Sequence, residues 1–176
     1  MTTHRSAGSQ QGSFVIEALV SLLIFSLGIL AMMTASRVAI SAQTDANIRT
    51  DAAQLANEAA QIIWLNVDRT KESDKPEFGA SLNTFAYQPD GADCVFSGST
   101  TAATSIPAIG AWLAKVKSTA GLPGSLETGQ QIKVELDPVD IDDGKPAGRN
   151  KVTITLCWQG PNDLAKRQHI LVTQVN

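Results

Sequence analysis

At 176 residues the chain has room for one membrane segment and one modest globular domain. Fourteen Lys and Arg stand against 17 Asp and Glu, for a net charge of −3 without a basic stripe, so charge argues against a nucleic-acid partner. There is no CxxC, HExxH, GxSxG or P-loop pattern, and His4 and His169 lack a His–carboxylate–nucleophile set, which leaves an enzyme the least supported class.

The first twelve residues, MTTHRSAGSQQG, are polar, with Arg5 as their formal charge. Residues 12–35, GSFVIEALVSLLIFSLGILAMMTA, form an apolar run whose one charge is Glu17. Ala18 to Ala35 is uncharged and long enough to cross the hydrocarbon core of a bilayer. A secretory signal peptide would have a shorter apolar core ending at a small-residue site, whereas this run continues as helix-compatible sequence. Cleavage, if it occurs, falls before the run and leaves it on the mature chain. Arg5 on one side and Arg37 on the other make the positive-inside count a weak witness to orientation. A carboxylate near a helix centre costs about 2.5–3.5 kcal/mol on insertion scales, less toward the ends, so Glu17 asks for a partner. Two other readings compete: an uncleaved signal anchor with Glu17 at the headgroups, and a buried core helix of a soluble protein.

A polar leader ending in Gly12, then an apolar helix with Glu17 fifth when Ser13 is counted first, resembles the type IV prepilin signal. That family usually begins with Phe or another apolar residue; here Ser13 is first and Phe14 second. Cutting after Ser13 would lose the glycine and move the glutamate to fourth place, so Gly12–Ser13 is the better register. The resemblance implies that a prepilin peptidase cuts after Gly12 and methylates the new amine of Ser13. It implies that Glu17 pairs during assembly with the Ser13 amine of a neighbouring subunit. The energetics point the same way, since a charge buried in a helical bundle is tolerable only when paired. The expected division is then a leader at 1–12, a transmembrane and assembly helix at 13–36, and a periplasmic globular domain at 37–176.

Between Phe14 and Asp68 only Gly28 interrupts the helical preference, and the first proline is Pro76. A helix from Ser13 to Asp68 would be about 84 Å long. From Ile48 the apolar positions step through Ala52, Leu55, Ala59 and Ile62, with Ile63 and Leu65 widening the stripe, as on one face of an amphipathic helix. An apolar first half and a second half lying against a domain make the lollipop shape of a pilin.

Residues 69–107 read as loop-rich, with short strands at 84–87 and 92–96 flanking a Pro89–Asp90–Gly91 turn. A second helix follows: Ser105 as N-cap, Pro107 in the first turn, Ile109, Trp112, Leu113 and Val116 on the apolar face, and Gly121 at the end. Strand patterns at 131–137, 151–158 and 169–175 are separated by turn-forming stretches and predict an antiparallel meander. In the first, Ile132, Val134 and Leu136 share a side; in the second, Val152, Ile154, Leu156 and Trp158 share one face and Cys157 takes the other. The predicted class is α+β: a long helix packed on a small antiparallel sheet, with one extra short helix.

Cys94 and Cys157 both follow the apolar run. If the downstream side faces an oxidising compartment, one disulfide is the natural pairing, stabilising by about 4 kcal/mol in the chain-entropy model. Two buried free thiols are the alternative. The acidic stretch Asp137, Asp140, Asp142 and Asp143 invites a calcium reading, but Gly144 falls one place early for an EF-hand. A solvated hairpin tip is the blander account, and no metal or cofactor is expected.

Trp112, then Leu122–Pro123–Gly124, then a strand, then VTITLCWQ resembles the PilV-type minor pilins, the type IV pilus modification proteins. This implies a low-abundance subunit that primes pilus assembly, first in the inner membrane with its C-terminal domain periplasmic, then in the extracellular fimbrium near its tip. Implied partners are other minor and major pilins, the prepilin peptidase, the inner-membrane assembly platform and, before assembly, membrane lipid. A minor pseudopilin of a type II secretion system shares the same signal. A tip adhesin or DNA-binding pilin would need a basic or aromatic cluster, and Lys115, Lys117, Lys166 and Arg167 are few and scattered.

Overall fold

A computed structural model describes residues 11–70, 76–118, 120–136, 150–160 and 163–175. Helix α1 spans Gln11–Asn66, slightly displaced from the expected Ser13–Asp68. Its end is set locally. The Asp68 carboxylate accepts from the Thr70 N–H at 3.0 Å and its hydroxyl at 2.6 Å, offering the backbone a turn in place of another helical bond. Arg69 reaches back to the Trp64 carbonyl at 3.3 Å and lies over the Trp64 ring at 4.8 Å.

The chain divides into two compact units, one up to Ala46 and one from Asn47, with α1 contributing to both. The first unit is helix in its described part, and from Phe14 to Thr44 every residue is exposed.

The second unit is built on the rest of α1 and a three-stranded antiparallel meander of β3 (Ser125–Glu135), β4 (Asn150–Trp158) and β5 (Arg167–Val175), in that order. This is the α+β class with a long helix on a small antiparallel sheet. Ala52, Leu55, Ala56, Ala59, Ala60, Ile63 and Val67 of α1 join Ile132, Val152, Ile154, Leu156 and Trp158 in one core. Ile62 is only half-buried and Leu65 is 84% exposed, so the buried stripe runs through Ala56 and Ile63 and not through Leu65. Val134 is half-buried, and Leu136, just past the strand end, keeps 45% of its surface exposed beside Gly79.

Among its described residues the connecting region holds three short helices where one was expected: α2 (Pro76–Asn83), α3 (Thr101–Ser105) and α4 (Pro107–Lys117). In α2, Phe78 and Leu82 are buried four residues apart, a pattern too short to read among the charges around it. Ser105 is the last residue of α3, its hydroxyl donating to the Thr101 carbonyl at 2.9 Å, and is not the N-cap of α4. Pro107 disfavours helical backbone at the residue before it, so Ile106 is extended (φ −117°) and breaks α3 from α4. The four apolar positions expected of α4 are all buried, and the Trp112 indole N–H donates to the Leu55 carbonyl at 2.8 Å.

Two turns differ in how legible they were. Leu122–Pro123–Gly124–Ser125 closes with the Ser125 N–H on the Leu122 carbonyl at 3.0 Å, and Gly124 has φ +76°. Proline second and glycine third is what a type II turn requires, and a Cβ on Gly124 would run into the Gln159 carbonyl. The upstream hairpin turns elsewhere than expected. Its strands are β1 (Asp90–Ala92) and β2 (Val95–Ser97), with Asp93 and Cys94 at the tip, both at positive φ. Residues 84–87 form no strand; Tyr87 alone bridges to Ile132, with N–H···O bonds of 3.0 and 2.9 Å.

Candidate functional site

Between Ala18 and Ala35 the sequence offers only three hydroxyls, and each is satisfied within the helix. Ser21 donates to the Glu17 carbonyl at 2.8 Å, Ser26 to Leu22 at 2.7 Å and Thr34 to Leu30 at 2.6 Å. Ser36 and Thr44 repeat the arrangement at 2.9 and 3.0 Å. Backbone and hydroxyl groups thus make their bonds inside the segment, as a hydrocarbon environment demands. The helix is long and apolar enough to cross a membrane, and none of its most apolar 18-residue window is buried.

Glu17 breaks this pattern. Its side chain is exposed, and among the described residues no cation lies within ion-pair distance of it. Gly12 and Ser13 lie in the first turn of α1, with Ser13 one helical turn before Glu17. The three residues singled out from the sequence are therefore together at one end of one helix.

Cys94 and Cys157 are disulfide-bonded, with Cα atoms 5.7 Å apart. Cys157 faces away from the main core, and with Cys94, Phe96 and Leu126 it forms a second small cluster on the opposite face of the sheet. The bridge ties the hairpin tip to β4. It also holds Cys94 at φ +61°, a conformation costly for a residue with a side chain.

Beside it, β3 carries a large bulge: Ser125 faces Trp158 and Gln130 faces Leu156, so five steps on one strand match two on the other. The buried Gln130 side chain spans the arch, donating to the Ser125 hydroxyl and the Leu126 carbonyl, each at 2.7 Å.

Several exposed charges are paired. Glu135 at the end of β3 meets Lys133 at 2.9 Å and also Lys151. Hydrogen bonds from Lys151 and then Lys133 hold its carboxyl below the ordinary value of 4.5. The Gly160 N–H, and after it Arg167, hold the Asp163 carboxyl below its ordinary 3.8.

The acidic positions Asp137, Asp140, Asp142 and Asp143 lie outside the described residues. Among the described residues no group of three or more His, Cys, Asp or Glu side chains could hold a metal ion. One cluster escaped the sequence reading: Arg49 of α1 and Arg167 and His169 of β5 line one cleft with Trp158 and Gln168. More than a hundred residues separate Arg49 from Arg167, and no local pattern announces their meeting. Comparison with protein-family models, curated proteins and solved structures finds no match for this chain.

Proposed function

We propose that this chain is a minor subunit of the type IV pilin superfamily, of the PilV type, that takes part in priming pilus assembly. The observation that carries the reading is the α1 segment from Phe14 to Ala35: exposed, apolar, internally satisfied, and interrupted by one carboxylate without an ion-pair partner among the described residues. Such a segment is suited first to lipid and then to the apolar flanks of other helices. Glu17 supplies what apolar packing lacks, a register mark. A neighbour's α-amine at Ser13 would neutralise it only at one axial offset, because a buried unpaired charge is strongly destabilising.

In this reading prepilin peptidase removes residues 1–12 and methylates Ser13. The disulfide-locked unit from Asn47 onward is the periplasmic and later extracellular part, and the partners are other minor and major pilins and the inner-membrane assembly platform. The intact mass of the chain extracted from membranes tests this directly. A mass beginning at Ser13 is expected; one that retains Met1 to Gly12 would sink the prepilin reading.

A further inference from the structure

We propose that the β1–β2 hairpin is a latched flap, and that its disulfide is made by thiol–disulfide exchange on a chain whose helix–sheet core has already folded.

The core does not draw on the flap. It takes in Phe85 and Tyr87 on one side of the hairpin and Ala102 on the other, and no residue from 88 to 101. Between 90 and 100 only Cys94 and Phe96 are buried, and both belong to the separate cluster with Cys157 and Leu126. The base of the flap is clamped independently of the bridge. Tyr87 exchanges two backbone bonds with Ile132, the Gln88 N–H donates to the Ser99 carbonyl at 2.7 Å, and the Gln131 carboxamide donates to the Gln88 carbonyl at 3.1 Å. Beyond that clamp β2 runs beside β3 without pairing to it. A lone two-stranded hairpin is marginal in water, so the bridge is what keeps this one down. Asp93 and Cys94 at its tip have φ of +51° and +61°, a conformation that residues with a side chain leave when nothing holds them.

Burial sets the order of events. Cys157 is fully buried on the central strand, and Cys94 is 4% exposed. With the flap closed, a disulfide oxidant reaches neither sulfur; with it lifted, the tip thiol is the accessible one. The Cys94 thiolate then attacks the oxidant's disulfide, forming a mixed disulfide and expelling one thiol. Cys157, held in place by a strand paired on both sides, attacks the Cys94 sulfur and expels the second. Two cysteine thiols thus give two electrons to the oxidant, and their protons leave on its two thiols. The inference stands independently of the proposed assembly role.

The full chain, prepared reduced in a non-ionic detergent, tests it. Hydrogen exchange across 88–99 should be faster than in the oxidised chain by about tenfold or more, the scale of a lost disulfide, while α4 and β4 stay protected. Glutathione disulfide added without denaturant should restore the bridge with the buried tryptophan fluorescence retained. With one thiol left, Cys157→Ser should form its mixed disulfide severalfold faster than Cys94→Ser. A reduced chain that lacks the core, hairpin amides equally protected with and without the bridge, or reoxidation that requires urea would each overturn the proposal.

Discussion

The two halves of α1 share one backbone and face opposite fates. From Ala18 to Ala35 large side chains such as Leu23 and Phe25 are 61% and 67% exposed, while from Ala52 to Val67 one stripe is almost wholly buried under the sheet and α4. Helix propensity does not separate them, since both are rich in Ala and Leu. What differs is the distribution of apolar residues around the axis. An even distribution gives no single face to bury against a domain and suits a surrounding apolar medium; a stripe suits one partner surface. The packed half therefore has its environment built into the chain, and the exposed half has to find one outside it.

Substitutions can break or sharpen that contrast. The largest effect is expected from Trp112→Ala, which empties the core against α1 and removes the N–H bond to Leu55; it should cost about 3–5 kcal/mol in urea unfolding followed by fluorescence. Replacing both Cys94 and Cys157 with Ser releases the hairpin from β4 and frees a 63-residue loop in the unfolded chain, so a loss of about 2–4 kcal/mol should appear in the same assay.

A smaller effect should come from acid. Glu135 binds its proton less readily folded than unfolded, so its ion pairs contribute fully above about pH 4.5 and progressively less as pH falls through the depressed folded value. Glu135→Gln should flatten that part of the stability–pH profile; an unchanged slope would remove the role given to Lys151 and Lys133. The smallest effect on folding is expected from Glu17→Ala, which should leave the unfolding midpoint and membrane insertion unchanged and, under the proposed pilin role, impair entry into pili. Normal incorporation would separate Glu17 from assembly and leave the two halves of α1 differing in hydrophobicity alone.

Much of this division was legible without coordinates. The extent of α1, the buried face of α4, the three-stranded meander and the outward placement of Cys157 all follow from periods of 3.6 and 2 with glycine and proline punctuation. The structure departs from local pattern where short elements depend on distant contacts. The eight residues of α2 and five of α3 carry too little pattern to stand out from a polar loop. The hairpin turns at Asp93–Cys94 and not at Pro89–Gly91, and its tip residue Cys94 is bonded to Cys157, a contact that local turn propensities do not contain. The chemistry of Leu65 suits the stripe, yet the helix rotation that buries Ile63 carries it to the surface.

For the candidate site the separation is sharper. Gly12, Ser13 and Glu17 lie within six residues, and one turn of helix suffices to place Ser13 beside Glu17, so local chemistry already held that arrangement. The Arg49–Arg167–His169 cleft came only from tertiary structure. Its members are drawn from a helix and an edge strand far apart in the chain, and the β4–β5 register with the docking of α1 decides that they face one space. Local periodicity sets which elements form; the pairing of remote surfaces, driven by burial of the stripe and strengthened by one disulfide, sets which charges meet.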